Sequence, residues 1–165
     1  MNDAGVRPFS IRALLEDRAR YLVPMYQRNY AWGEGEITQL LQDVLDYQQK
    51  LVSGKGPQTY YIGTLVVFAR DDGSFEVIDG QQRFTTLSLL ANWLKHHAID
   101  SVDMSWYQTI NLAFESRPIS SHTFERLWQG VAPYDLRGST FNEGLVNGFE
   151  LIDKAMADLG LVGAK

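Results

Sequence analysis

FEVIDGQQRFTTL, residues 75–87, is the stretch that decides the fold of this sequence. Aromatic and β-branched residues at 75–78 predict a β-strand, which Asp79-Gly80 ends. Apolar residues at helical spacing then predict a helix that runs to about His96. The first turn of such a helix points its free N–H groups outward, so this junction is a natural site for a phosphate group.

The junction carries more polar donors than a helix cap requires. Gly80 lets the backbone turn sharply and lets a ligand approach closely. Arg83 can bind phosphate oxygens through two parallel hydrogen bonds. Asp79 is a candidate to hold magnesium, to orient Arg83 or to position a water. The alternative is an ordinary strand-to-helix turn in which Asp79 is the helix cap.

Four more polar residues at the start of the same helix are candidates for the site. Gln81 and Gln82 carry amides that can orient a water or bind a base or sugar edge. Thr85 and Thr86 can add hydroxyl contacts to a ligand or cap the helix. All four side chains therefore belong to the candidate site.

PMYQRNYAW, residues 24–32, brings three aromatic residues, a glutamine and an arginine into a short stretch. Residues 21–26 predict an extended segment, and Pro24, which lacks a ladder donor, makes it an edge strand or a strand end. Aromatic rings beside Arg28 can form a stacking wall for a base or a cation–π cluster. The alternative is structural: Tyr26, Tyr30 and Trp32 anchor the loop to the core, and Arg28 pairs with a carboxylate.

The rest of the chain predicts one further strand and several helices. The predicted elements are a short helix capped by Ser10, an amphipathic helix at 36–51, a strand at 60–69 that forms an antiparallel hairpin with 75–78, a helix from Ser120 or Ser121 to Trp128, and a helix capped by Thr140 that ends at Leu159. We therefore expect an α+β fold, with a small mixed β-sheet and flanking helices in a core at residues 1–98 and a helical extension at 99–165. Residues 161–165 have no stop character, so we expect a piece of a longer protein.

The composition is that of a soluble globular domain: 165 residues, 45% of them hydrophobic and 21% charged. Since the sequence has neither a run of about 18 apolar residues nor a signal peptide, we expect no membrane association and a cytoplasmic location. The absence of cysteine excludes disulfides, thiol catalysis and cysteine-ligated metal sites. The net charge of −5 disfavours non-specific DNA binding, because phosphate contacts supply most of that affinity.

Two motifs in a fixed order resemble one known family. A PxYQRxYxW segment, an amphipathic helix, a YxxG strand and then DGQQRxTTL resemble the N-terminal domain of GmrSD-type modification-dependent restriction enzymes, long listed as a domain of unknown function. The matching residues are Pro24, Tyr26, Gln27, Arg28, Tyr30, Trp32, Tyr61, Gly63, Asp79, Gly80, Gln81, Gln82, Arg83, Thr85, Thr86 and Leu87. The match spans residues 8–98, and Leu112 to Arg117 resemble the family's more variable helical region.

The resemblance implies a fold like that of ParB and sulfiredoxin, with a phosphate-binding turn at a helix N-terminus. It also implies binding of a nucleoside triphosphate with Mg²⁺, and its hydrolysis, coupled in full-length members to recognition or cutting of modified phage DNA. The implied catalytic residues are Asp79, Gln82 and Arg83, with Asp79 as the magnesium ligand. The implied nucleotide-binding residues are Gln27, Arg28, Tyr30, Gly80, Gln81, Thr85 and Thr86.

One departure from the family pattern concerns DNA cleavage. Many members carry a C-terminal His-Asn-His nuclease domain, whereas this sequence has three histidines and no such motif. We therefore expect no nuclease activity from this chain, and place the nuclease in a further C-terminal part or in a partner chain. A homo-oligomer is compatible with the sequence. The competing hypothesis is a non-catalytic module that binds a nucleotide or DNA and signals to a nuclease partner.

Overall fold

The computed structural model describes residues 5–54 and 59–160. In chain order the elements are α1 (Ile11–Glu16), β1 (Tyr21–Val23), α2 (Glu34–Val52), β2 (Val66–Ala69), β3 (Phe75–Asp79), α3 (Gln81–His97), β4 (Leu112–Phe114), α4 (Pro118–Trp128), a 3₁₀ turn (Pro133–Asp135) and α5 (Glu143–Asp158). The four strands form one mixed sheet flanked by helices, which confirms the predicted α+β class. None of the described helices combines the length and the apolar character that crossing a membrane requires.

The sheet has the strand order β2-β3-β1-β4. β1 runs parallel to both β3 and β4, whereas β2 and β3 form the predicted antiparallel hairpin. Pro24 does end β1, but β1 is an inner strand rather than an edge strand, because β4 pairs with its second side. Parallel strands end at the same side of a sheet, so the carboxyl ends of β1, β3 and β4 lie together. We call this side the carboxyl edge.

The larger of two hydrophobic clusters among the described residues joins the sheet to the helices. Val77 of β3 and Leu112 of β4 belong to it, together with Trp93 of α3 and Ile152 of α5. α3 is the central helix: most of its residues from the first turn to Trp93 are buried. Because the helix is buried nearly all round, its position is set by contacts on several sides, and its N-terminus is held firmly at the carboxyl edge.

The boundary predicted near residue 98 does not divide this core. β4 follows that boundary and pairs with β1, and α5 packs against α2 and α3. The prediction of a purely helical extension therefore missed β4, because a strand of three residues is too short to show alternation. Residues 161–165, which suggested a longer protein, lie outside the described residues.

The starts of α4, α5 and β2 differ from the predicted ones. α5 begins at Glu143 with Asn142 as its N-cap, instead of Thr140, and the Asn142 side chain accepts a hydrogen bond from the Leu145 amide (3.2 Å). Asparagine is at least as good an N-cap as threonine, so the local pattern alone could not choose between them. α4 begins at Pro118, ahead of the serines predicted as caps, since proline is favoured in the first helical turn. β2 begins six residues later than predicted, at residue 66.

Candidate functional site

Four segments of the chain meet at the carboxyl edge. They are the loop at 24–33 after β1, the segment at 59–65 before β2, the turn at 79–80 between β3 and α3, and the loop at 115–117 between β4 and α4. The first and third of these segments carry the two motifs recognised in the sequence. In open sheets with parallel strands, ligands bind outside the carboxyl ends of the strands. The topology therefore brings both motifs to the part of the sheet where a ligand site is expected.

Gly80 makes the turn between β3 and α3. Its φ is +91°, in the left-handed region that favours glycine, and a Cβ on it would lie 2.7 Å from the carbonyl oxygen of Thr64. Gly80 is the N-cap of α3, and no described side chain caps the helix, so Asp79 is not the cap. Among the described residues, none accepts a hydrogen bond from the amides of residues 81–83. The first turn of α3 therefore keeps amide donors for a ligand.

Arg83 lies against Gly63, in the segment that precedes β2. A Cβ on Gly63 would overlap Nη1 of Arg83, so the glycine makes room for the guanidinium. The guanidinium carbon of Arg83 lies 6.0 Å from the ring centroid of Trp32, at the outer limit of a cation–π contact. Within the described part of the chain, no carboxylate forms an ion pair with Arg83 or Arg28. Two positive charges thus have no counter-ion among the residues that the structure describes, which favours an anionic ligand.

Gln82 holds the loop after β1 in place. Its Oε1 accepts a hydrogen bond from the amide of Ala31 (2.7 Å), and its Nε2 donates to the carbonyl oxygen of Asn29 (3.1 Å). The side chain is buried, and both ends of its amide are engaged by loop backbone. Gln82 therefore positions the loop that carries the first motif. The catalytic role predicted for Gln82 stays a prediction.

Thr85, Thr86 and Tyr30 point into the protein rather than toward a ligand. The Thr85 hydroxyl donates to the carbonyl oxygen of Gln81 (2.7 Å), and the Thr86 hydroxyl donates to that of Gln82 (2.9 Å). The hydroxyl of Tyr30 bonds Oγ1 of Thr86 (2.8 Å), and burial raises the pKa of Tyr30 to about 12. These bonds give the three residues a packing role, and the nucleotide-binding role predicted for them stays a prediction. The contact between Tyr30 and Thr86 fastens the loop after β1 to α3.

Gln27 fastens the same loop to the end of β3. Its Nε2 donates a hydrogen bond to the carbonyl oxygen of Ile78 (3.0 Å), immediately before the turn into α3. Arg28 follows with an exposed side chain, and the next residue along the loop is the one that Gln82 holds. Arg28 is therefore presented beside the turn by anchors on both of its sides.

Asp79 and Gln81 are the polar side chains of the turn that form no hydrogen bond within the described part of the chain. Asp79 is the last residue of β3 and is exposed, whereas Gln81 opens α3 and is buried. Neither side chain has a hydrogen-bond partner among the described residues. Their carboxylate and amide are accordingly the groups of the DGQQR motif that can serve a metal ion or a water.

The fold adds two residues to the carboxyl edge for which the sequence predicted no role. Gly63 belongs to the family motif, and its lack of a side chain accommodates Arg83. Arg117, in the loop after β4, donates hydrogen bonds to the carbonyl oxygens of Met25 (3.0 Å) and Gln27. The resemblance of residues 112–117 to the family's variable region was the one signal that pointed toward Arg117.

A polar cluster on the outer face of the sheet also holds the loop after β1. The Tyr26 hydroxyl donates to Glu76 (2.5 Å), and Arg70 forms ion pairs with Glu76 (3.0 Å) and Glu115 (2.5 Å). The hydrogen bond from Tyr26, followed by those from Arg70, holds the pKa of Glu76 below its ordinary value. The ionised form of Glu76 is thus tied to the placement of the loop.

Replacing Tyr26 with phenylalanine is expected to weaken the acid dependence of stability. Because the pKa of Glu76 is lower in the folded than in the unfolded state, the cluster stabilises fully above the unfolded pKa of about 4.3, and this stabilisation is lost as pH falls through the folded pKa. Urea unfolding from about pH 7 to about pH 3 should show Tyr26→Phe less stable at neutral pH and equal to wild type at the acid end. Tyr134→Phe, at an exposed tyrosine, is the matched control. Parallel pH profiles of wild type and Tyr26→Phe would contradict the expectation.

A comparison with known families places the chain. The family model described as GmrSD restriction endonuclease, N-terminal domain, matches residues 11–156. The match contains both motifs and all four strands, and runs from α1 almost to the end of α5. No curated protein matches the chain significantly. On the extent of the family match, this chain belongs to the GmrSD restriction endonuclease N-terminal domain family.

Proposed function

We propose that this chain binds a nucleoside triphosphate with Mg²⁺ at the carboxyl edge and hydrolyses it, as the nucleotide module of a system that restricts modified phage DNA. One observation carries the proposal. The first turn of α3 keeps amides that no described residue uses, and it carries Arg83, which has no ion-pair partner in the described part of the chain. The loop with Arg28 is fastened to Ile78 and Gln82, on the two sides of the same turn. Membership of a restriction endonuclease family supports the proposed role in a restriction system.

The phosphate groups would bind at the first turn of α3. The helix dipole and the amides of residues 81–83 favour negative charge there. Arg83 can form two parallel hydrogen bonds to phosphate oxygens, and Arg28 adds a second positive charge from the loop after β1. In phosphoryl transfer, positioning and charge neutralisation of this kind supply nearly all of the catalysis. These residues therefore bear on turnover as well as on affinity.

Asp79 is the residue that would hold Mg²⁺. Within residues 5–54 and 59–160, no group of three or more acidic, histidine or cysteine side chains forms a metal site by itself. Mg²⁺ usually binds through one or two carboxylates together with substrate phosphates, so the exposed carboxylate of Asp79 beside the phosphate site fits this arrangement. When bound, the ion supplies charge neutralisation on the phosphate oxygens.

The attacking water needs a group that orients it. Because both ends of the Gln82 amide are engaged by the loop, Asp79 and Gln81 are the remaining side chains of the motif for this role. The water would attack the γ-phosphorus, and the bond between the γ-phosphorus and the β–γ bridging oxygen would break. The products are inorganic phosphate and the nucleoside diphosphate.

Binding without turnover is the second candidate function. The engagement of Gln82 favours it, since one of the groups suited to orienting a water is already used for structure. The bound nucleotide would then act as a signal that this module passes to a nuclease partner. Sensing of DNA by this chain alone is disfavoured by its net charge of −5.

Replacing Arg83 with alanine is expected to weaken nucleotide binding about 100-fold, because two charge-assisted hydrogen bonds of about 1.5 kcal/mol each are lost. Calorimetric titration of ATP, GTP, CTP and UTP, each with Mg²⁺, into wild type and Arg83→Ala measures the effect. Arg18→Ala is the matched control, since Arg18 is exposed and precedes β1, at the opposite end of the sheet. Equal thermal unfolding of the variants shows that the loss is local.

Phosphate release separates the two candidate functions. Release of inorganic phosphate by wild type, lost in Arg83→Ala, would support hydrolysis. Tight binding without phosphate release would support the signalling function. If wild type binds none of the four nucleotides at millimolar concentration, both candidates are wrong and the turn at 79–80 is an ordinary connection between a strand and a helix.

A further inference from the structure

Arg117 connects the loop after β4 with the loop after β1. Its Nη2 donates hydrogen bonds to the carbonyl oxygens of Met25 (3.0 Å) and Gln27. No described carboxylate forms an ion pair with Arg117, so its hydrogen bonds to backbone carbonyls are the contacts that place it. A charged donor on a carbonyl makes a stronger hydrogen bond than a neutral one. The guanidinium therefore clamps the loop on the residues directly before Arg28.

The backbone next to Arg117 is unusual. Ser116 has φ +56°, and it is the one non-glycine residue in the described ranges with a positive φ. Such a conformation costs energy and persists where surrounding contacts impose it. The contacts of Arg117 with the loop after β1 lie immediately beside it, so the loop after β4 is held in a conformation that reaches across β1.

The anchors around Arg28 come from three different elements. The side chain of Gln27 is held by the end of β3, its carbonyl oxygen is held by Arg117, and the carbonyl oxygen of Asn29 is held by Gln82 of α3. Arg28 stands between these anchors with its own side chain exposed. An exposed arginine side chain loses rotamer entropy when it binds an anion. If the backbone of Arg28 is already fixed, binding adds no backbone entropy cost to this loss, so the total entropic cost is lower.

We propose that Arg117 is a positioning residue for Arg28: it fixes the loop after β1 so that Arg28 meets the phosphate groups, an inference that rests on the nucleotide function proposed above. In this role Arg117 acts through the two loop carbonyls that its Nη2 binds, and not by a contact of its own with the phosphates. The contribution of β4 to the site is therefore indirect, through the placement of a neighbouring loop.

A double-mutant cycle tests the proposal with the Mg²⁺ complexes of ATP, GTP, CTP and UTP. Arg117→Gln is expected to weaken binding about tenfold, since hydrogen bonds to a charged group contribute about 1.5 kcal/mol or more. Because Arg117 acts through Arg28, the double variant with Arg28→Ala is expected to bind no more weakly than Arg28→Ala alone. If the double variant loses affinity by the product of the two single-variant losses, the proposal is overturned, because Arg117 then acts independently of Arg28.

Amide hydrogen exchange of the nucleotide-free protein tests the contact of Arg117 with the loop after β1 independently. The Gln27 amide donates a hydrogen bond to the carbonyl oxygen of Pro24 (3.1 Å). The amide hydrogen of Gln27 should therefore exchange faster in Arg117→Gln than in wild type. Arg126→Gln, at an exposed arginine near the other end of α4, should leave that exchange unchanged. Unaltered exchange in Arg117→Gln, with nucleotide binding by wild type intact, refutes the positioning role alone. Absence of nucleotide binding by wild type refutes the proposed function, and the positioning role with it.

Discussion

Gly80→Ala is expected to lower the free energy of unfolding by about 3 kcal/mol, the sum of a backbone and a packing effect. With φ at +91°, a residue with a side chain is strained by about 1–2 kcal/mol. The new Cβ would also lie 2.7 Å from the carbonyl oxygen of Thr64 and 3.3 Å from Cα of Leu65. Both atoms are backbone that leads into β2, so they cannot move aside as the end of a flexible side chain can.

Gly73 offers a matched control for this effect. Its φ of +86° is close to that of Gly80, but no atom lies within 4 Å of a Cβ built on it. Gly73→Ala should therefore show the backbone effect alone, about 1 kcal/mol. Urea denaturation of wild type and the two variants measures the difference between them. If Gly80→Ala and Gly73→Ala lose equal free energies of unfolding, the segment at 59–65 does not pack against the turn. The packing that brings Gly63 to Arg83 would then be contradicted as well.

Gly148→Val should destabilise the fold by about 3 kcal/mol, although helix propensity alone favours valine over glycine. A Cβ on Gly148 would lie 2.5 Å from Cε1 of Tyr30 and 3.2 Å from Cδ1 of Leu89. Both neighbours are buried, and the hydroxyl of Tyr30 is held by Thr86. The overlap must then be relieved by moving α5 or the loop after β1, and a close-packed interior resists either shift.

Gly35→Val is the control for the effect of replacing a helical glycine by valine where there is room for the side chain. Gly35 is exposed in α2, and no atom lies within 4 Å of a Cβ built on it, so the change should stay within about 0.5 kcal/mol. Thermal unfolding of both variants gives the comparison. A Gly148→Val protein as stable as wild type would show that α5 does not pack on Tyr30 as described.

The two glycines of α5 show how a local pattern can mislead. Taken alone, Gly144 and Gly148 weaken the prediction of a helix, because glycine is a poor helix former. In the fold, a Cβ on Gly144 would lie 2.5 Å from the carbonyl oxygen of Tyr30, and Gly148 faces the ring of the same residue. The glycines accommodate the loop that carries the first motif. The loss of helix propensity at these glycines is offset by their packing on Tyr30, a residue more than a hundred positions earlier in the chain.

The sequence by itself determined the elements whose signals are local. The strand-turn-helix junction at 75–97, the amphipathic helix α2 and the hairpin of β2 with β3 follow from periodicity and turn chemistry within short windows. The order of the two motifs was enough to indicate the family. Gly80 at the turn and the helix N-terminus that follows it were also within reach, because the glycine requirement is set by neighbouring residues.

Only the tertiary structure decided which polar side chains of the motif are bonded within the described part of the protein. Gln81 and Gln82 are alike in sequence, yet Gln82 reaches Ala31, 51 residues away, while Gln81 has no partner among the described residues. Arg117 contacts Met25 across 92 residues. A residue's local pattern carries no information about partners this distant, since the partner depends on how strands and helices pack. The division of these polar residues into those bonded within the fold and those without a partner among the described residues therefore arises from the packing of α3, β4 and α5 around one sheet.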